Sequence, residues 1–170
     1  MIVGCQSSPG MSMTKPELVQ QIITQLSRDL EVFLAGARTA HEAATHAENQ
    51  PDNEYDTLAL EASYVAQGQA NRAQEIRQAI ETYKQLPVAA ENDVVRLTSL
   101  VTIEAEDGTR KTLFIGPVAG GVKISDQQTE IMVITPVSPL GRELLGKSAG
   151  DSVEIMAGTT CTEYELVAVR

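Results

Sequence analysis

The chain has 170 residues, and 23 Asp and Glu against 13 Lys and Arg give a formal charge of −10 with both His neutral. That balance excludes a basic protein that grips a phosphate backbone by counterion release. No apolar run approaches the roughly 18 residues of a membrane-spanning helix.

Residues 1–12 read as a disordered leader. Met1-Ile2-Val3-Gly4-Cys5 lacks the charged and apolar regions of a signal peptide, so a cytoplasmic location is the expectation. Met13 is an alternative start. Two cysteines, Cys5 and Cys161, cannot make a disulfide scaffold, and the absence of a CxxC pair argues against a zinc ribbon or a thioredoxin-type site.

Residues 14–86 have helix composition, rich in Ala, Gln, Glu and Leu. A seam of alternating four- and three-residue steps runs through Val19, Ile23, Leu26, Leu30, Phe33, Ala37, Ala40, Ala44 and Ala47. A second runs through Ala59, Ala62, Ala66, Gln69, Ala73, Ile76, Ile80 and Tyr83, with only Gln69 polar. Laid antiparallel, Ala47 meets Ala59, Ala44 meets Ala62, Leu30 meets Ile76, and Ile23 meets Tyr83. The spacing predicts a helical hairpin turning near residue 53, with arms of about 30 residues and roughly 45 Å.

The seam is graded. Large residues lie at the open end and Ala lies against Ala near the turn, which makes a thin and weakly stabilised distal half. Charge is graded too. No Lys or Arg occurs between Arg38 and Arg72, whereas Glu48, Asp52, Glu54 and Asp56 crowd the turn. Carboxylates at this density suit a hard cation or a basic surface, or simply a well-capped, solvated turn. Pro51 ends the first helix, and Asp52 or Asn53 is placed to cap the second. Pro87 stops the second helix, and 87–93 reads as a linker.

Residues 94–170 switch to strand composition. Strands are predicted over Val94–Ala105, Lys111–Gly116, Glu130–Thr135, Asp151–Ala157 and Thr162–Val169. Asp107-Gly108 marks a hairpin turn. Ser138-Pro139 opens one short helix that Gly146 closes, with Leu144 and Leu145 on its buried face. A small antiparallel sheet with one short helix follows, so the fold class is α+β.

Gly141-Arg142-Glu143-Leu144-Leu145-Gly146-Lys147-Ser148 fits the phosphate-loop pattern in letters only. Its interior reads as a helix turn that uses its own N–H groups, and Gly150 follows where that loop needs a long helix. His41 and His46 stand five apart and do not share a helix face. No Ser or Cys sits in a readable nucleophile motif, so the chain is not expected to be an enzyme in its own right.

The order of hairpin, acidic turn and small sheet resembles the GreA/GreB transcript-cleavage factors. The most specific stretch is Val137-Ser138-Pro139-Leu140-Gly141-Arg142-Glu143-Leu144-Leu145-Gly146-Lys147-Ser148-Ala149-Gly150-Asp151, similar to the family's C-terminal signature. Asp52-Asn53-Glu54-Tyr55 is similar to the family's turn, and Glu61 and Gly68 fall near matching positions.

The resemblance implies an FKBP-like C-terminal domain over 94–170 that docks on core RNA polymerase at the outer edge of its secondary channel. Ser138, Pro139, Arg142 and Lys147 would serve the docking. The hairpin would enter the channel, and Glu48, Asp52 and Glu54 would assist a Mg²⁺ ion shared with the polymerase in cleaving backtracked RNA. No stably held metal or cofactor of its own is implied. The nascent RNA 3′ end would be met only indirectly, no membrane is involved, and a monomer is expected. The family's cleaving members place Asp-x-x-Glu before Asn-x-Glu-Tyr, and no alignment of Glu48-Asn49-Gln50-Pro51-Asp52 keeps both acids. The alternative is a non-cleaving regulator or competitor of the same build, like the regulator Rnk. An FKBP-type prolyl isomerase is disfavoured, because Phe114 and Tyr164 are the only aromatics of that half.

Overall fold

A computed structural model describes residues 13–48, 56–88, 90–127, 129–157 and 160–170. The chain forms two compact units. One is Ile23–Leu86. The other joins the described residues up to Ile22 to Pro87–Arg170.

Helix α1 runs Lys15–Glu48 and helix α2 runs Asp56–Lys84. The start of α1 is a capping box. Thr14 N–H and Oγ1–H donate to Glu17 Oε2 at 2.7 and 2.8 Å, and Glu17 N–H donates back to Thr14 Oγ1 at 3.4 Å. The bonds from Thr14 hold the Glu17 carboxyl below its ordinary range. The cap is therefore complete at neutral pH and is lost as pH falls through that lowered value. At the other end, Leu86 N–H turns back to Tyr83 O at 3.2 Å, and Pro87 follows.

Within Ile23–Leu86 the described seam positions are buried or half-buried, from Leu26 and Ala44 on α1 to Ala73, Ile76, Ile80 and Tyr83 on α2. A Cβ added to Gly36 would stand 3.4 Å from Gln69 Oε1, so the one polar seam residue lies over a glycine. Leu34, Ala37, Arg38 and His41 of α1 share a shallow groove with Ser63, Ala66, Gln67 and Ala70 of α2. These neighbours fit the antiparallel register read from the two seams. The pair Ala47 and Ala59 lies outside the described side chains. Burial of Tyr83 pushes its phenol well above the usual range.

The second unit holds a six-stranded sheet: β1 (Leu100–Ala105), β2 (Arg110–Ile115), β3 (Lys123–Asp126), β4 (Thr129–Ile134), β5 (Ser152–Ala157) and β6 (Thr160–Val169), with α3 (Pro139–Leu144) between β4 and β5. The strand order is β3-β4-β2-β1-β6-β5. The β1–β2 hairpin turns at Gly108, whose φ of 81° suits glycine, and Asp107 Oδ1 accepts from Thr109 N–H at 2.9 Å.

The sheet is mixed, not wholly antiparallel. The pair β2 and β4 runs parallel, with Thr112 beside Ile131 and Phe114 beside Val133. The cause is β3, a four-residue strand that forms the outer edge and lets β4 return between it and β2. Such a strand, Lys-Ile-Ser-Asp, is too short and polar to announce itself. The first strand also starts later than Val94. Thr98 has φ 68°, and the chain turns there: Ser99 N–H bonds Arg96 O at 3.0 Å, and Arg96 N–H bonds Ser99 Oγ at 3.0 Å.

Val95, Val101, Ile103, Leu113, Ile115, Ile134, Leu144, Val153 and Leu166 make one core. Each large side chain of this kind contributes about 1.5–3 kcal/mol on burial. That core is built from residues distant in sequence, which is why it holds the 135–151 segment in one shape.

Candidate functional site

Two regions qualify, the hairpin turn and the segment between β4 and β5. At the turn, α1 is described to Glu48 and α2 from Asp56. The side chain of Glu48, and Asp52 and Glu54 entirely, lie outside the described residues. Glu42 and Glu61, farther down the arms, are exposed. So are Leu60, Tyr64 and Val65, three large apolar side chains close together on α2 within the stretch that has no Lys or Arg.

The second region is described throughout, and its letters resolve into a local mechanism. Ser138 Oγ–H donates to Thr135 O at 2.7 Å while Ser138 Oγ accepts from Gly141 N–H at 3.0 Å. Ser138 is thus the N-cap of α3, and Pro139 fills a first-turn position that needs no donor. Gly141 is dictated by space. A Cβ there would lie 2.0 Å from Thr135 O and 2.9 Å from Ser138 Oγ. Leu144 is fully buried in the sheet core.

The exit is fixed equally tightly. Gly146 N–H donates to Val95 O at 2.9 Å, and Val95 N–H donates to Lys147 O at 2.8 Å. Gly146 has φ 79°, and the next turn closes with Ser148 N–H on Asp151 Oδ2 at 2.7 Å. Gly150 N–H reaches Leu166 O at 2.8 Å. The N–H groups of Gly141, Arg142, Leu145, Gly146, Lys147 and Ser148 are all donated inside the fold. These six N–H groups are therefore not free to cradle a phosphate.

Leu145 corrects one expectation. It was paired with Leu144 as a buried residue, but it is 37 % exposed. Leu145 is the C-cap that follows α3, and consecutive positions of a helix point about 100° apart, so Leu144 faces the sheet and Leu145 does not. Leu145 instead joins Val94, Leu97 and Val137 among the exposed large apolar residues. The hydrogen bonds of Val95 tie the Val94–Leu97 stretch to the Leu145–Lys147 turn.

Of the four residues assigned to docking, Ser138 and Pro139 hold the local fold. Arg142 and Glu143 are exposed, Lys147 is half-buried, and among the described residues neither cation forms a salt bridge. The segment therefore presents two cations and several apolar side chains on a rigid frame. Sequence reasoning had missed the exposed Val94, Leu97 and Val137. For Val94 and Leu97 the signal lay in apolar residues where a strand was expected but a turn occurs.

Among the described residues, no group of three His, Cys, Asp or Glu is placed to hold a metal ion. No helix there is long and apolar enough to cross a membrane.

This architecture, a helical hairpin and a small mixed sheet with one short helix, defines a class of two-unit α+β proteins. Comparison with known proteins narrows the class. A profile described as "Transcription elongation factor, GreA/GreB, C-term" matches residues 90–170. The transcription elongation factor GreA of Thermomicrobium roseum is 28 % identical over 119 residues, which is 70 % of each chain. GreA of Rhodospirillum rubrum is 26 % identical over 133 residues, 78 % of this chain and 80 % of that one. The solved structure of the transcription factor Gfh1 superposes with a TM-score of 0.40 at 22 % identity, over 86 % of this chain and 92 % of that one. The match over 90–170 and the similarity to these GreA proteins support a divergent member of the GreA/GreB family of transcription elongation factors.

Proposed function

We propose that the protein is an accessory factor of RNA polymerase that docks through its sheet unit and carries the acidic hairpin turn into the secondary channel. The observation that carries this reading is the joining of the matched half, 90–170, to a long hairpin whose turn holds four acids and no Lys or Arg. Arg142 and Lys147, with Val137 and Leu145 beside them in sequence, are the docking residues. Ser138 and Pro139 act through the frame they set. The α1 arm, 34 residues long, spans about 50 Å, enough to reach a buried centre. Its small seam keeps the distal half narrow.

Glu48, Asp52 and Glu54 offer hard oxygen donors that suit a Mg²⁺ ion held jointly with the polymerase. Bound there, the ion supplies activation of water for hydrolysis of backtracked RNA. The factor's own part is to place carboxylates and hold them steady. Pro51 among these acids favours a second reading, in which the same insertion occurs without a complete ligand set and the factor competes with cleaving relatives.

A stalled, backtracked elongation complex with labelled RNA tests both. Shortening of the RNA on addition of the protein supports cleavage stimulation, and the triple change Glu48→Ala, Asp52→Ala, Glu54→Ala should abolish it while binding persists. No shortening, but a block of GreA-stimulated cleavage, supports the competitor. Absence of binding to core polymerase overturns both.

A further inference from the structure

The two edges of the sheet are finished differently. Strand β3 has four residues, its Lys123 pairs with Glu130 at 2.9 Å, and Asp126 Oδ2 accepts from Met13 N–H at 3.2 Å. Strand β5 has six residues, Ser-Val-Glu-Ile-Met-Ala, with no Lys and no Pro. A shift in register lies between β1 and β6 at Thr102 and Ile103, whereas the β5–β6 register runs unbroken. Among the described residues β5 pairs with β6 alone, so alternate residues turn N–H and C=O groups outward. Natural sheets usually blunt such an edge with a lysine, a proline, a bulge or a short strand. Strand β5 carries no lysine, proline or bulge, and its one charged residue is Glu154, which repels an acidic strand and admits a cationic one.

The side chains say what would lie there. Cross-strand partners share a face, and Glu154 stands opposite Glu163 while Ser152 stands opposite Glu165. Glu165 in turn stands opposite Glu104. The nearest cation in the ladder, Arg110, is already bonded to Glu104. Among the described residues no salt bridge includes Glu154, Glu163 or Glu165, and all three are exposed. Two like charges directly opposed weaken a strand pair, so this face gains when a cation arrives. Met156 follows two residues after Glu154, on the same face, and is 65 % exposed. The Cys161 thiol, 3.8 Å from Glu154, is pushed up by local burial and then by the Glu154 and Glu163 carboxylates.

We propose that β5 is the edge at which a basic, extended segment of a partner protein adds a strand to this sheet. Main-chain bonds along β5 supply the affinity, and alternate cationic side chains meeting Glu154, Glu163 and Glu165 supply the choice of partner. A second copy of the chain is a poor occupant, because two sets of these carboxylates would then share one continuous face. Nucleic acid is a poorer one, since its phosphates carry the same sign. The inference is independent of the docking residues assigned above.

The test uses the full chain and a labelled twelve-residue peptide of alternating Lys and Val. Saturable binding by fluorescence anisotropy is expected, weakening as salt rises, with slowed hydrogen exchange at alternate amides of Ser152–Ala157. Glu154→Lys and Glu163→Lys, each an exposed change, should weaken binding about tenfold or more and favour a peptide of alternating Glu and Val. No binding of the Lys-Val peptide overturns the proposal. So does equal binding by a Lys-Pro repeat, which lacks the alternate N–H donors, because charge alone would then explain the contact. Protection of the β5 amides without peptide, accompanied by a dimer in sedimentation, overturns it in favour of a second copy.

Discussion

The hairpin unit and the sheet unit use small residues for opposite purposes. In Ile23–Leu86 the alanines of the seam bury little area, and Gly68 has nothing within 4 Å of where a Cβ would be. In the sheet unit Gly141 sits where a Cβ would overlap a carbonyl oxygen, at 2.0 Å. Smallness keeps the hairpin thin, whereas in the sheet it permits a close approach that nothing larger survives. The hairpin is a reach with modest stability of its own. The sheet unit is a rigid frame whose core, from Val95 to Leu166, fixes a surface.

Substitutions can break this contrast, and the largest effect belongs to the frame. Leu144→Asp places a charge in the core and should cost about 4 kcal/mol or more, enough to unfold the sheet unit. Leu145→Asp, one residue on, should stay within about 1 kcal/mol in the same urea titration and should weaken polymerase binding instead. Equal losses from the two would show that α3 does not divide buried from exposed at this point.

Gly141→Ala comes next. The overlap with Thr135 O can be relieved only by moving backbone, and a loss of about 3 kcal/mol by chemical denaturation is expected. On the hairpin, Ile76→Ala should cost about 3 kcal/mol, because Ile76 is buried at the large-residue end of the seam. Gly68→Ala should do the reverse and stabilise α2 by about 0.5–1 kcal/mol, read as a rise in helicity and melting temperature. A loss at Gly68 would mean that the helix face there is occupied.

The smallest effect concerns chemistry on the exposed face of β6. Glu154→Gln removes a carboxylate that raises the Cys161 thiol, so its alkylation by iodoacetamide near pH 8 should quicken a few-fold in a Cys5→Ser background. An unchanged rate would mean that local burial and Glu163 set the thiol without Glu154.

Much of this protein was legible in its letters because the relevant physics is local or periodic. The seam from Val19 to Ala44, the stop at Pro87, the cap at Ser138 and the turn at Gly108 each follow from residue type and spacing. The capping box of Thr14 and Glu17 was equally legible and was overlooked. The short helix opened by Ser138-Pro139 was legible too, although it ends at Leu144, and after it the N–H groups of Leu145, Gly146, Lys147 and Ser148 find acceptors within the fold.

Other features had no local signature. Strand β3 is four residues with one buried apolar side chain, and the parallel pairing of β2 with β4 depends on where that strand goes. The exposure of Leu145 and the turn at Thr98 each depend on a partner distant in the chain, such as Ile115 O for Thr98 N–H at 2.8 Å. Sequence by itself determined the two long helices, the short helix and most of the strands in their order, because periodicity and capping act within a few residues. Tertiary structure alone decided which side chains of the matched segment hold the frame and which face outward, because burial is set by what the rest of the chain brings against them.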